Sequence, residues 1–380
     1  MNEGASRRAR AAVAVNAAIV GERPTGLGVY ALNLIRGLDA RGERLLVYTS
    51  SPELVNAPRA SIERVSASLR PERGALGHLQ RLLWVQTSLR WRVRRARPRL
   101  LLNLMPEGIL APSLPQVTTV YDLLPLHFPA EYPRQQYYFR HYVPAVLRAS
   151  RAVIVISEST RRDVLRYYGL PPHKIRVVMA GYDADRFTPD GAAADGVTAP
   201  YALYVGNVMP HKNLLRVVDA FALLAGRIPL TLVLRGSGKA RHVQALQQRI
   251  DALGLGDRID WRPYVSPDEL PALYRGASML LLPSLYEGFG LTALEAMACG
   301  TPVLTSNVSS LPEVVGDAAL LVDPGDPASI AAAMTRIAED GRLAKDLRER
   351  GLVRARLFSW DATARAVQRA MAHAVTDGTD

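Results

Sequence analysis

Glu287 and Glu295, with seven residues between them, stand in the string LLLPSLYEGFGLTALEAMACGTPVLTS, residues 280–306. The string reads as strand, loop, helix, strand. Met279–Pro283 is short and apolar, as a buried parallel strand should be. Tyr286-Glu287-Gly288-Phe289-Gly290 forms the loop at its carboxyl end, where open α/β sheets hold their ligands. The two glycines permit unusual backbone angles and close approach of a ligand. A helix, Leu291–Ala298, begins directly after Gly290, and its free N–H groups and positive dipole end suit a diphosphate. A carboxylate accepts hydrogen bonds from two vicinal hydroxyls, as on ribose or a hexose. Glu287 and Glu295 therefore read as hydroxyl-binding groups on either side of a diphosphate site.

Such a site needs a cation. In YVGNVMPHKNLLRVVDAF, residues 204–221, Val205-Gly206-Asn207 ends a strand and Asn213 begins a helix. Lys212 then sits at the mouth of the crevice, where an ammonium can neutralise a leaving diphosphate. The chain has four lysines, Lys174, Lys212, Lys239 and Lys345, so this one is poor filler. Arg235, at the end of the next strand in LVLRGSGK, is a second candidate cation. In RPTGLGVYALNLIRGL, residues 23–38, Gly26 and Gly28 are expected to form a turn between the first strand and the first helix. TTVYDLLPLHFP, residues 118–129, places Tyr121 and Asp122 after a strand. Asp122 can bind sugar hydroxyls. The Tyr121 hydroxyl can hydrogen-bond a sugar but takes up no proton at neutral pH, as an imidazole would. His127 reads as a packing residue. The Ser and Thr groups of ISEST, residues 156–160, read as helix N-caps.

The 280–306 string resembles the E-x7-E signature of family 4 glycosyltransferases, retaining enzymes of the GT-B fold. The resemblance runs over nearly the whole chain and is strongest from about 201 to 325. It implies that Glu287 contacts the donor sugar and Glu295 the ribose. Gly288 and Phe289 share that loop, and Gly290, Leu291 and Thr292 are implied to present backbone amides to the diphosphate. Gly206 to Lys212 is similar to the family's G-x-x-x-x-x-K element, whose lysine binds the donor phosphates. Asn207 departs from it, because many members have arginine there; Arg235 is the candidate replacement. The loop of Gly28 is implied to approach donor phosphate and acceptor. Tyr121 departs from a position where members commonly have histidine. The backbone at Tyr264 and Val265 is implied to hold the nucleotide base. The resemblance thus makes Lys212, Glu287, Asp122 and Tyr121 the candidate catalytic residues. It also implies a nucleotide-sugar donor, GDP-mannose first or a UDP-hexose, with no metal and no cofactor. Similarity to bacterial polysaccharide mannosyltransferases implies a glycan or lipid-linked acceptor in surface polysaccharide synthesis.

The elements that must position these residues follow from the apolar pattern. Candidate strands are Ala11–Asn16, Leu45–Thr49, Leu100–Asn103, Val117–Tyr121, Val153–Ser157 and Ile175–Met179. A second series comprises Ala202–Gly206, Leu230–Leu234, Ile259–Trp261, Met279–Pro283, Pro302–Thr305 and Ala319–Val322. Helical stretches such as Val29–Leu38, Arg161–Tyr168, Leu214–Ala225 and Ile330–Glu339 lie between them. Two β-α series predict two Rossmann-like, doubly wound parallel-sheet domains, and the resemblance implies that they face a cleft. The boundary is expected in TPDGAAADGVTAP, residues 188–200, which lacks periodicity. Residues 1–188 then form one domain and 200–357 the other, and the resemblance implies that the first binds the acceptor and the second the nucleotide sugar. The resemblance implies that the terminal helix, 358–380, crosses back to the first.

Composition limits the other classes. With 380 residues, 48% hydrophobic and 22% charged, this is ordinary globular material for two domains. Met1–Arg10 is polar and basic, and Ala11–Val15 is too short for the core of a signal peptide, so a cytoplasmic location is expected. Cys299 is the one cysteine, which excludes an intrachain disulfide. A net charge of +12 suits anionic partners. Nucleic acid is disfavoured, since interleaved aromatics, a helix-turn-helix signature and zinc ligands are all missing. Arginines crowd Arg90–Arg99 while Leu82, Val85, Leu89 and Val93 recur at helical spacing. That pattern fits a helix resting peripherally on an anionic inner-membrane face, or one packed on its own domain with a solvated arginine face. A nucleotide-sugar epimerase and a non-catalytic nucleotide-sugar binder remain as alternatives within the same fold.

Overall fold

The computed structural model describes residues 12–24, 26–197 and 200–376. The basic leader through Ala11, Thr25, two residues of the boundary stretch and the last four residues lie outside the described residues. The chain divides into two compact units, Met1–Gly181 with Trp360–Asp380, and Tyr182–Ser359.

The first unit is built on strands β1 Val13–Asn16, β2 Leu45–Thr49, β3 Ser61–Arg64, β4 Leu100–Asn103, β5 Gln116–Val120, β6 Ala152–Val155 and β7 Ile175–Val177. They run in the order β3-β2-β1-β4-β5-β6-β7, and all pairs are parallel. The central strands β1, β4, β5 and β6 are buried at every residue; β1, β4 and β6 read as nearly continuous apolar runs, whereas β5, QVTTV, buries Gln116 and Thr118 by hydrogen-bonding them. Edge strand β3, with the sequence SIER, is mostly exposed and has no apolar alternation. Only its pairing with β2, Leu46 opposite Ser61, makes it a strand.

The helix Trp360–Thr376 packs on the helix Gly26–Ala40 in this first unit. Gly37 makes the approach possible: a Cβ there would stand 2.9 Å from the Ala364 Cβ and 3.3 Å from the Trp360 carbonyl. Arg41 pairs with Asp361 at 2.7 Å, and Thr363 donates to the Met179 carbonyl at 2.8 Å.

The second unit has six parallel strands, β8 Tyr201–Val205, β9 Thr231–Arg235, β10 Ile259–Arg262, β11 Met279–Leu282, β12 Val303–Ser306 and β13 Ala319–Val322. Their order is β10-β9-β8-β11-β12-β13. Val217, Phe221, Leu232, Leu234, Leu281 and Met334 belong to one core cluster beneath it.

This unit starts at Tyr182, so residues 182–188 belong here and not with the first domain as expected. Phe187 is buried and packs on Tyr274 with ring centroids 6.0 Å apart. Arg275 donates to the carbonyls of Thr188 and Ala192. A boundary drawn from composition overlooks one apolar anchor in a polar stretch.

The arginine-rich segment is helical from 74 to 96, with a π turn at Val85–Leu89 between α-helices Gly74–Trp84 and Arg90–Ala96. Val85, Leu89 and Val93 are buried in the core of their own domain. The apolar stripe read as a lipid contact is therefore covered by protein. Arg92 is tied to Glu63 at 2.6 Å and Arg99 to Glu43. Among the described residues no helix is long and apolar enough to cross a membrane.

Candidate functional site

In the second unit the chain leaves β8 toward one side of the sheet and leaves β11 toward the other, which opens a crevice at their carboxyl ends. Both loops are stitched together there. Asn213 takes a left-handed backbone, φ 64°, a conformation that asparagine tolerates better than most residues. Its side-chain amide donates to the carbonyls of Pro283, at 2.9 Å, and Pro324, at 2.6 Å. The Leu285 amide donates to the His211 carbonyl at 2.7 Å. These bonds hold the turn Pro210–Lys212 against the loop that follows β11. As a result Lys212 Nζ donates to both carboxylate oxygens of Glu287, at 2.7 and 2.9 Å. The pair keeps contact with solvent, the side chains being 18% and 13% exposed.

Four serines position Glu287, and sequence reasoning missed all of them. Ser284 Oγ donates to Glu287 Oε1 at 2.7 Å, and Ser306 Oγ donates to the Ser284 carbonyl. Ser309 Oγ accepts from the Glu287 amide at 3.1 Å and donates to its carbonyl at 2.6 Å. Ser310 Oγ donates to the carbonyls of Glu287 and Phe289. Ser309 does so at φ 61°, a backbone region that costs a non-glycine residue about 1–2 kcal/mol. The available signal was the Ser-Ser pair that closely follows β12.

Past Glu287 the loop turns at Gly290, φ 122°, where a Cβ would come 2.9 Å from Leu311. Helix Leu291–Ala298 starts at once. Leu291 and Thr292 occupy its first positions, whose N–H groups an α-helix leaves without an internal acceptor. The Phe289 side chain is buried against Phe358, with centroids 5.9 Å apart, so it packs the loop.

Glu295 lies one turn into that helix and accepts from the Tyr274 hydroxyl at 3.3 Å. Withdrawal from water raises its carboxyl from the ordinary 4.5 to about 7; the Tyr274 hydrogen bond and the Arg186 charge pull it down and Asp183 pushes it up. Hydrogen-bond donors that reach it favour its ionised form.

The other rim is formed by the ends of β8 and β9. Gly206 and Gly236 have φ of 155° and 150°, and a Cβ on Gly236 would lie 1.8 Å from the Gly206 carbonyl oxygen. Glycine is required for that approach. Asn207 is exposed, and its carbonyl accepts from the Tyr204 hydroxyl at 2.9 Å. Arg235 does not replace the missing arginine. It is buried and bonds Asp260 on neighbouring β10 through the carbonyl at 2.9 Å and the carboxylate at 2.6 Å. Lys239 is exposed in the loop that pairs with Asn207's through the Val208–Gly238 bridge, a cation that sequence reading left unplaced. Tyr264 is 71% exposed and Val265 half-buried on the loop after β10.

The remaining candidates belong to the first unit. Gly26 and Gly28 do not form a turn; they begin the helix Gly26–Ala40, and Gly28 admits Pro24, whose Cβ would stand 3.0 Å from an added Cβ. Tyr121 is a core residue. Its hydroxyl donates to the Leu104 carbonyl at 2.7 Å, its ring meets Tyr30 edge-on at 5.0 Å, and burial raises its pKa well above 10. The expectation of a sugar-binding hydroxyl fails there because the residue just after β5 is buried and its hydroxyl is already bonded to that carbonyl. Asp122 is half-buried and accepts from the Leu124 amide at 2.9 Å. His127 bonds Asp163 at 2.9 Å, in keeping with packing, and Ser157 caps the helix Glu158–Tyr168.

The molecule thus combines two doubly wound parallel-sheet domains, the second with a lysine–carboxylate pair beside a helix N-terminus at its switch point. Comparison with known proteins gives the family. Residues 24–186 match the model described as Glycosyltransferase Family 4, and residues 193–354 match Glycosyl transferases group 1. The chain belongs to the family 4 glycosyltransferases and has the GT-B fold. It is similar to O-antigen chain mannosyltransferase B of Escherichia coli, 34% identical over 64% of this chain and 67% of that protein. It is also 34% identical to a D-inositol 3-phosphate glycosyltransferase of Streptomyces bingchenggensis, over 60% of this chain and only 54% of the relative's length. Among solved structures, sucrose-phosphate synthase from Thermosynechococcus elongatus superposes with a TM-score of 0.77 at 23% identity, covering 96% of this chain and 98% of that one. Anabaena HepE, solved with UDP and glucose, gives 0.73 at 18% identity over 95% and 99% of the two chains.

Proposed function

We propose that this protein is a retaining hexosyltransferase that moves mannose from GDP-mannose to a glycan or lipid-linked acceptor in surface polysaccharide synthesis. The observation that carries this reading is the Lys212–Glu287 pair, held at the switch point beside the start of helix Leu291–Ala298. The donor diphosphate takes the place beside Lys212 and the amides of Leu291 and Thr292, and both stabilise the charge that develops as it leaves. Glu287, freed to accept from sugar hydroxyls, orients the hexose, and Glu295 takes the ribose hydroxyls. The bond from the anomeric carbon to the phosphate oxygen breaks. The acceptor oxygen bonds to that carbon on the same face, and its proton passes to the departing phosphate. No step requires a metal or cofactor.

Similarity to an O-antigen mannosyltransferase supports mannose as the first choice, and a UDP-hexose is the second donor to test. A thermal-shift panel of GDP-, UDP-, ADP- and dTDP-sugars measures the preference, because the true donor stabilises the folded state by mass action. GDP-mannose is expected to give the largest shift, and a larger one from any other donor removes it. NMR of the product is expected to show the donor's anomeric configuration; an inverted product ends the retaining assignment. Because Glu295 accepts donor hydroxyls as a carboxylate, donor KM is expected to fall as pH rises through about 7. An acceptor-independent release of UDP from UDP-N-acetylglucosamine would point to an epimerase instead.

A further inference from the structure

The helical run 74–96 buries one ridge and turns another to solvent. Gly77, Arg81, Val85, Leu89 and Val93, four residues apart, are buried in the first unit. On the outer side Leu76, Leu79, Leu83 and Trp91 are 72%, 56%, 59% and 61% exposed. In the first helix Leu76, Leu79 and Leu83 share one face, spaced i, i+3, i+7. The π turn at Val85–Leu89 adds a residue to one helical turn, and Trp91 extends the exposed row beyond it.

Charge narrows the choice of partner. Between Glu72 and Glu107 the chain has no acidic residue and eight arginines. Arg73, Arg94, Arg95 and Arg97 are exposed around the apolar row, and the Arg95 guanidinium lies 5.6 Å from the Trp91 ring centre. Leucines that enter a bilayer interface, a tryptophan at its edge and arginines that reach phosphate headgroups form a complete interfacial motif. We propose that this outer face, and not the buried Val85–Val93 stripe, docks the protein on an anionic lipid bilayer. The proposal is independent of which donor the enzyme uses.

The test is cosedimentation of the full chain with phosphatidylcholine vesicles, either pure or with about a third phosphatidylglycerol, the anionic content that draws basic segments to a surface. The unmodified protein is expected to pellet with the anionic vesicles and to stay in solution with the neutral ones. The variant Leu76→Ser/Leu79→Ser/Leu83→Ser is expected to lose at least about tenfold in partition, since it removes the inserting groups. Arg94→Gln/Arg95→Gln is expected to weaken binding and flatten its dependence on phosphatidylglycerol. All five side chains are exposed, and circular dichroism with donor thermal shift checks that both variants fold. Leucine-variant binding equal to that of the unmodified protein overturns the proposal. So does failure of the unmodified protein to bind anionic vesicles, or a dimer that dissociates only in the leucine variant and shows no lipid binding.

Discussion

Both units follow the same strand order around their first strand, so each has a switch point, between β1 and β4 in the first and between β8 and β11 in the second. Their contents differ. At the first, Arg81 binds Glu107 through Nε at 2.9 and 3.1 Å and through Nη2 at 3.1 Å, and it also donates to the Leu69 carbonyl. Asn16 donates to the Glu107 carbonyl, and Asn103 donates to Gln116 and Thr118. Arg81, Glu107, Asn16 and Asn103 are all buried. At the second, Lys212 and Glu287 form one ion pair that solvent still reaches. Topology provides a crevice in both units. A closed polar network fills the first and stiffens it, whereas the second leaves its charges within reach of a ligand.

That contrast can be broken by substitution, and the first crevice should suffer most in stability. Arg81→Met strands a buried carboxylate and is expected to cost about 3–5 kcal/mol in urea unfolding. Adding Glu107→Gln should recover much of that loss; no recovery would mean the pair is not a unit. At the second crevice, Lys212→Ala is expected to lower turnover by about 10²–10³-fold with its circular dichroism unchanged. Activity like that of the unmodified enzyme would remove Lys212 from the site.

Glu295→Gln sharpens the comparison through pH. The folded protein holds the Glu295 proton up to about 7, against 4.5 for an ordinary carboxyl. Between those values the native state binds more protons than the unfolded one, so stability falls as pH rises across the window and stays low above it. Glutamine removes this loss. The variant should therefore be more stable than the unmodified protein at pH 8, by about 1–3 kcal/mol, and should lose the advantage near pH 4.5. A gap independent of pH would contradict the raised value.

Ser309→Gly separates strain from function. Glycine relieves the positive φ, so stability should move by no more than about 1 kcal/mol. Turnover should fall about 10–100-fold as the Glu287 peptide loosens, with kcat changing more than donor KM. Tyr121→Phe is expected to do least. Loss of the bond to the Leu104 carbonyl costs about 1 kcal/mol, with turnover within about threefold of the unmodified enzyme. A larger kinetic loss would return Tyr121 to the site.

Much of this was legible in the chain. Strands Leu45–Thr49 and Leu100–Asn103 stand where the apolar pattern puts them, because burial on both faces leaves a continuous signature, and edge strand Ala319–Val322 and helix Leu291–Ala298 also have the bounds expected of them. Edge strand β3 left no such trace, since one solvated edge tolerates the polar sequence SIER. Glu287, Lys212 and the glycines at 206 and 290 were readable because close backbone approach and charge next to a helix start restrict residue type.

Partner choice was not readable, because a side chain's hydrogen-bond partner comes from remote sequence. Arg235 finds Asp260, Tyr121 finds the Leu104 carbonyl, and Ser309 finds Glu287. Along the chain, the arginine-rich segment carries two apolar rows at helical spacing. Tertiary packing decided that Val85, Leu89 and Val93 face the core while Leu76, Leu79 and Leu83 face outward. Local sequence sets the period of an element and the residue types it presents. Which face is covered, and which polar group is already bonded, depends on neighbours that only the folded chain brings close.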